Sequence, residues 1–255
     1  MGPVTRIALF TSSIRGYWLL RFLLAEDVKS YFRVEVVGVA TDDPRKRHSN
    51  SEKRGVWKYG YDESFEPDLV PQYCMRHDIP CFTDSTRTPE FIEQYVDSWK
   101  PDLALVNVFG QRLPLEVFNY PRLGTFNFHT TAGNVWPNFG GPDPLKHIQR
   151  AGFNSCRIAC HRVEEEIDTG ELYGFSDDVN IPTGATVGDM QLKLAAEVVC
   201  YLRKELPYLT NAHSSIKGVL SRSGQAKAFS KILPKTPHNR DLLYPLLGPL
   251  IGNKT

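Results

Sequence analysis

Long apolar runs are missing from this chain: no stretch is long enough to span a bilayer, and no membrane partner is expected. Charge of one sign is missing too. Lys and Arg number 30 against 29 Asp and Glu, a formal +1, so no global field draws the chain to nucleic acid or anionic lipid. Cysteine is sparse and scattered, at Cys74, Cys81, Cys156, Cys160 and Cys200. That set excludes a disulfide-dense scaffold and points to a reducing, cytoplasmic setting. The spacing Cys156-x-x-x-Cys160-His161 raises zinc. Against it, Cys156, Ile158 and Cys160 alternate as one apolar strand face, and no metal is expected. There is no internal repeat and no low-complexity segment. The turn after the first apolar run carries no Gly-x-Gly-x-x-Gly; it reads Thr11-Ser12-Ser13-Ile14-Arg15-Gly16. A dinucleotide cofactor is therefore not expected. The strand pattern from Arg6 leaves no room for a secretory signal before it.

What is present alternates strand and helix. Arg6 to Thr11 and Val34 to Ala40 are nearly continuous apolar runs, as buried parallel strands are. Between them Trp18, Leu19, Phe22 and Leu23 recur at helical spacing behind Ser12 and Ser13. Further helices are predicted over Asp68 to Arg76, Thr88 to Trp99, Asp143 to Ala151 and Val187 to Glu205. Further strands are predicted over Ile79 to Thr83, Leu103 to Val108, the stretch from Gly124, Cys156 to Glu164 and Leu172 to Val179. This order implies an α/β fold with a doubly wound, mostly parallel sheet. After Leu209 the pattern weakens. Gln225 to Lys231 reads as one strand, and Pro234, Pro237, Pro245 and Pro249 make the tail irregular. The expected organisation is a catalytic domain over 1–210 and a C-terminal extension over 211–255.

The most informative stretch runs from Gly124 to Gly141. Asn127 and His129 are two apart on a strand, so they share a face. A loop rich in Gly and Pro follows, the place where α/β sheets put chemistry. Later comes Glu164-Glu165-Glu166-Ile167-Asp168-Thr169-Gly170, an acidic cluster closed by a turn. Together Asn127, His129 and Asp168 offer an oxyanion donor, a proton carrier and a group that orients the imidazole. Singly, each also reads as a turn residue, a satisfied half-buried ring or a surface acid.

These residues resemble the folate-dependent formyltransferases. That family carries Asn-x-His at a strand end and a later Asp-x-Gly loop, here Asn127-Phe128-His129 and Asp168-Thr169-Gly170, with His129 and Asp168 39 residues apart. Phe109-Gly110-Gln111-Arg112-Leu113-Pro114 resembles the loop before the catalytic strand, and Gly140-Gly141-Pro142 the glycine-containing loop after the histidine. The likeness covers roughly Arg6 to Leu209. It implies a formyltransferase-like, Rossmann-type fold and N10-formyltetrahydrofolate as co-substrate. It implies Asn127, His129 and Asp168 as catalytic residues, and a pterin cleft between the Phe109 turn and the loop from Val163 to Asp168. By position, Phe109, Gln111, Arg112, Leu113, Glu166 and Ile167 are the folate candidates. Two departures stand out. His129-Thr130-Thr131 replaces His-Pro-Ser, Thr131 keeping a hydroxyl at the serine position, and Phe139-Gly140 replaces Arg-Gly in the loop that faces the acceptor.

The implied reaction is attack of a neutral amine on the formyl carbon. Hydrolysis of formyltetrahydrofolate by the same residues, and a non-catalytic nucleotide-binding module, are the alternatives. There is no room for an N-terminal regulatory domain, and the C-terminal segment is short for an RNA-binding barrel. Both favour a small-molecule amine over nucleic acid; a homodimer is compatible with this reading. Two features point to an amino sugar linked to a nucleotide. Ser12, Ser13 and Arg15 at a helix N-terminus suit a phosphate, although they also read as a plain cap. The stretch from Pro44 to Glu66 sets Arg45, Lys46, Arg47, Lys53, Arg54 and Lys58 beside Trp57, Tyr59 and Tyr61. Cations there suit phosphates and aromatics suit a base; the same residues also suit a loop anchored onto the sheet. Arg47, Trp57 and Thr131 complete the acceptor candidates.

Overall fold

The computed structural model describes residues 3–46, 66–141 and 143–210. Thr5–Thr11 form β1, Ser13–Leu24 α1, Glu26–Phe32 α2 and Val34–Ala40 β2. Leu69–Arg76 form α3 and Cys81–Phe82 the short β3. Pro89–Glu93 form α4, which widens into π turns over Gln94–Trp99. Leu103–Asn107 are β4, Leu115–Phe118 α5, Thr125–Thr131 β5 and Pro144–Arg150 α6. Ser155–Arg162 form β6, Leu172–Phe175 β7, Val179–Asn180 β8 and Val187–Leu209 α7.

The strands lie in the order β3-β2-β1-β4-β5-β6-β7, with β8 also on β6. Pairs from β3 to β5 are parallel; β6 runs antiparallel to β5, β7 and β8. The chain winds outward from β1 to β3 and then returns to place β4 on the other side of β1. The strand order thus reverses between β1 and β4, and crevices at such points receive ligands at the carboxyl ends of the strands.

Apolar residues on both faces explain why β1 and β4 read as unbroken runs. Ile7, Leu9, Leu103, Leu105, Phe126 and Phe128 join Leu19, Leu23, Leu194 and Val198 in one core. Ala8, Phe10, Ala104 and Val106 join Phe91, Tyr95, Trp99 and Val117 in the other. Gly38 lies directly under the Trp99 indole, where a Cβ would collide with the ring.

Element boundaries differ from the sequence reading for local reasons. The strand predicted to Val179 breaks after Phe175: Ile158 N donates to Ser176 Oγ at 2.9 Å, so a side chain takes over one rung of the ladder. The helix predicted over Thr88 to Trp99 does start at a Thr88 cap, whose Oγ1 accepts from Phe91 N at 3.3 Å. The last helix opens on a capping box between Thr186 and Asp189 and continues past Glu205 to Leu209, because Leu206 and Leu209 are buried in the first core. The strand over Gln225 to Lys231 and the extension over 211–255 lie outside the described residues.

Candidate active site

The alternation of β5 sets Asn127, His129 and Thr131 on one face and Phe126, Phe128 and Thr130 on the other. Register with β6 then decides what meets them. Asn127 pairs with His161 and His129 with Ala159, and directly opposed residues on one face touch. Cys156, Ile158 and Cys160 take the opposite, core face. The two thiols and His161 therefore do not converge as zinc ligands would. Among the described residues, no group of three or more His, Cys, Asp or Glu could hold a metal ion.

The loop after β6 brings Asp168 over this face. Asn127 Nδ2 donates to Asp168 Oδ1 at 3.1 Å and lies 3.1 Å from His161 Nε2. His129 Nδ1 is 3.5 Å from the same carboxylate oxygen, and His129 Nε2 is 3.0 Å from the carbonyl oxygen of Phe139. Both nitrogens of the His129 ring thus face oxygen atoms, which fixes the plane of the ring. His161 is different. Its Nδ1 is 2.7 Å from Arg162 O, which assigns the hydrogen to Nδ1 and leaves Nε2 as the acceptor for Asn127. Burial pushes the His161 imidazole down to about 4, against the opposing pull of the Arg162 carbonyl and the Asp168 charge. The amide orientation of Asn127 follows: the flipped form would set its oxygen against a carboxylate and a lone pair.

Backbone conformations rarely adopted by side-chain-bearing residues gather here. Phe139 (φ 54°), Asp168 (φ 56°) and the β-branched Val108 (φ 57°) are all left-handed, and such outliers cluster at functional sites. Asp168 tolerates this better than most residues. Gly170 closes the turn against Arg162, whose carbonyl oxygen a Cβ would strike. Trp136, from the loop after β5, donates from Nε1 to Gly170 O at 2.9 Å and lays its ring over His161, centroids 4.6 Å apart.

These groups open onto a cavity of about 460 Å³, within the usual range for small-ligand sites. Phe109, Gln111, Arg112, Leu113, Glu166 and Ile167 all line it. They do so in different ways. Gln111 braces its loop, its Nε2 donating to Asp84 O at 3.2 Å and its Oε1 accepting from Thr86 N at 2.9 Å. Arg112 donates to Glu165 O and so ties the Phe109 turn to the acidic loop. Leu113 is buried in the second core, Phe109 packs 5.5 Å from Phe10, and Ile167 is 64% exposed at the rim. A wall of Val106, Phe109, Val163 and Ile167 broken by loop backbone groups suits a flat heterocycle with polar edges, as a pterin is.

The residues proposed for the acceptor part company. Arg15 lines the cavity, its guanidinium donating to Thr130 Oγ1 and Asn107 Oδ1, each at 3.0 Å. Thr131 is buried, its hydroxyl 3.4 Å from Asn138 O. Ser12 and Ser13 are buried as well. Ser12 gives α1 no side-chain cap; its Oγ donates to Asp42 Oδ2 at 3.2 Å and accepts from Asp42 N at 2.9 Å. Asp42 also accepts from Gly110 N. The Ser12 hydroxyl is therefore engaged by an internal carboxylate and its backbone N–H. Arg47 and Trp57 lie outside the described residues.

Sequence reading alone does not find His161, Trp136 or Asp42. His161 was within reach once β6 was paired with β5, because the apolar alternation already sets it opposite the Cys160 face. Trp136 and Asp42 depend on how loops fold back, which leaves no periodic trace.

Residues 6–203 match the family model described as formyl transferase. A methionyl-tRNA formyltransferase of Clostridioides difficile (strain 630) is 27% identical over 161 residues, 63% of this chain and 47% of the relative. The chain spans about half the length of the curated relatives it matches first. Among solved structures, a phosphoribosylglycinamide formyltransferase from Bacillus halodurans superposes with a TM-score of 0.58 at 19% identity, covering 84% of this chain and 98% of the other. WlaRD, a sugar 3N-formyl transferase solved with dTDP and 5-N-formyl-THF, gives 0.53 at 15% identity, covering 82% and 64%. These two share the fold. The family match extends over most of the chain and over every element of the site just described, and it decides the assignment: this protein belongs to the formyl transferase family, whose one-carbon donor is N10-formyltetrahydrofolate.

Proposed function

We propose that this chain transfers the formyl group of N10-formyltetrahydrofolate to a primary amine of a small molecule, with Asn127, His129 and Asp168 as its catalytic residues. The observation that carries the reading is the meeting of all three side chains at Asp168 Oδ1, within 3.5 Å, at the cavity. The bound folate supplies a carbonyl made reactive by its N10 attachment. His129 takes the proton released by the attacking amine and returns it to the departing nitrogen. Asp168 fixes the ring through Nδ1. Asn127 donates to the formyl oxygen as negative charge develops there. Its two amide hydrogens otherwise go to Asp168 and His161. The Asn127 hydrogen directed at Asp168 Oδ1 is the one that turns to the formyl oxygen, since that carboxylate oxygen also faces His129. The pterin is held between the Phe109 turn and the acidic loop, with Gln111 and Arg112 keeping the two walls in place.

For the acceptor we infer an amino sugar linked to a nucleotide. Its support is the basic, aromatic stretch from Arg45 to Tyr61, Arg15 at the cavity wall, and the shared fold of a sugar 3N-formyl transferase. Ser12 and Ser13 stand beside Arg15 as further acceptor candidates, the Ser12 hydroxyl being shared with the Asp42 carboxylate. The scattered free thiols fit work in a reducing cytoplasm.

The test is incubation of the full chain with N10-formyltetrahydrofolate and a panel of nucleotide-linked amino sugars, free amino sugars and amino acids. Formylated amine and tetrahydrofolate in equal amounts are expected, fastest with a nucleotide-linked sugar. Formate released at the same rate without any amine would make the protein a hydrolase. Folate bound but never consumed would make it a binding module. A preferred acceptor without phosphate would remove the nucleotide-sugar assignment and leave formyl transfer standing.

A further inference from the structure

We propose that Trp136 is a positioning residue: its indole seals His161 from water and thereby holds Asn127 in the orientation that transfer requires. The inference rests on the formyl-transfer reading for its kinetic arm alone.

Three contacts place Trp136. Its ring lies over His161 with centroids 4.6 Å apart and planes inclined by 37°. The same ring stands at 62° to that of His129, centroids 5.9 Å apart. Its Nε1 is anchored on Gly170 O at 2.9 Å, at the close of the turn that carries Asp168. One side chain from the loop after β5 thus touches both histidines and the acidic loop. His161 itself is only 2% exposed.

The chemistry of His161 shows why sealing matters. With its hydrogen on Nδ1, facing Arg162 O, the Nε2 lone pair accepts from Asn127 Nδ2. A second proton would turn Nε2 into a donor facing a donor. Asn127 would then have to rotate, and its oxygen would meet the Asp168 carboxylate. The new N–H would also compete for Asp168 Oδ1, which lies 3.8 Å away, against His129 at 3.5 Å. Protonation of His161 therefore disorganises the oxyanion donor and the imidazole support together. The groups facing His161 are Asn127 and His129 from β5, Asp168 and Glu164 from the acidic loop, and Trp136. Asp168 and Glu164 favour the proton; His129 and, above all, burial disfavour it. Trp136 contributes to that burial by covering one face of the ring. Water at that face would let the two carboxylates prevail.

The experiment follows the His161 ring by NMR through a pH titration of the wild type, Trp136→Ala and Trp136→Leu, alongside the pH dependence of kcat. Wild-type His161 is expected to titrate at about 4, and Trp136→Ala to raise this toward 6.5, carrying the acid limb of kcat upward with it. Trp136→Leu keeps apolar bulk in the loop and should give a smaller shift of the same sign, so the test survives if the alanine variant fails to fold. In a His161→Gln background the residue at 161 still accepts from Asn127 but cannot titrate, and Trp136→Leu should then leave the acid limb where it is. An unmoved His161 titration overturns the proposal, as does an equal shift of the acid limb in the His161→Gln background. A raised KM for the amine at every pH, with the titration unmoved, would make Trp136 an acceptor platform instead. Absence of any formyl transfer by the wild type would count against the proposed function, and the titration would still decide the role of Trp136.

Discussion

His129 and Asp168 act in this account as one unit, because a base is useful only while its ring is held in place. Replacing either with Ala should lower kcat by about 10²- to 10⁴-fold. The double variant should be little worse than the single ones, since residues acting together are not additive. Steady-state kinetics on the three variants checks this; losses that multiply would separate the two residues. Asn127→Ala has a second consequence. It removes the donor to both Asp168 Oδ1 and His161 Nε2, so stability should fall by about 1 to 3 kcal/mol while folate affinity changes little and kcat drops. Urea unfolding and folate titration separate these effects, and a loss confined to folate affinity would contradict the role given to Asn127. The sequence marks Asn127 and His129 because a two-residue spacing on a strand needs no tertiary knowledge to share a face. Asp168 is legible through the turn it sits in. His161 is hidden because its meaning lies in a register, and Asp42 because a buried acid at a strand end looks like any other turn residue.

At the scale of elements, the site is two loops and a strand held in fixed relation. The Asp168 loop depends on Gly170, which lies against the Arg162 carbonyl with no room for a Cβ. Backbone cannot yield as a flexible side chain can. Gly170→Ala should therefore push the turn outward, lengthen the Asp168 contacts and lower kcat at least about tenfold, a small displacement at a reacting centre being costly. A crystal structure and kinetics of this variant check the link; full activity would show that the turn does not set the position of Asp168. The β1–β5 core was legible because strands buried on both faces read as continuous apolar runs. The end of β7 was not, since a serine hydroxyl replacing one backbone partner has no compositional mark. The end of α7 was not either: burial of Leu206 and Leu209 outweighs the helix-breaking character of Pro207.

Over the whole molecule, the doubly wound sheet brings the ends of β4 and β5 to one crevice, and the loop after the antiparallel β6 supplies its second wall. This arrangement buries a neutral histidine beside Asn127 and Asp168, with a consequence for stability. His161 is held at about 4 against an ordinary 6.5, so between those values the unfolded chain binds a proton that the folded one refuses. The contribution is intact above 6.5 and is lost as pH falls toward 4, on the order of 3 kcal/mol. Urea unfolding at about pH 7 and about pH 4.5 should show this loss in the wild type and less of it in His161→Gln; equal losses would deny that His161 is buried neutral. The parallel part of this topology was legible from strand–helix alternation, whereas the antiparallel turn at β6 was not, because an apolar face alternates alike in either direction. The central claim remains that Asn127, His129 and Asp168 move a formyl group to an amine. Its most direct test is mass-spectrometric detection of the formylated acceptor formed from N10-formyltetrahydrofolate by the wild type, His129→Ala and Asp168→Ala under identical conditions. The account predicts stoichiometric product from the wild type and almost none from either variant with folate still bound. Product formed by a variant at the wild-type rate would contradict it.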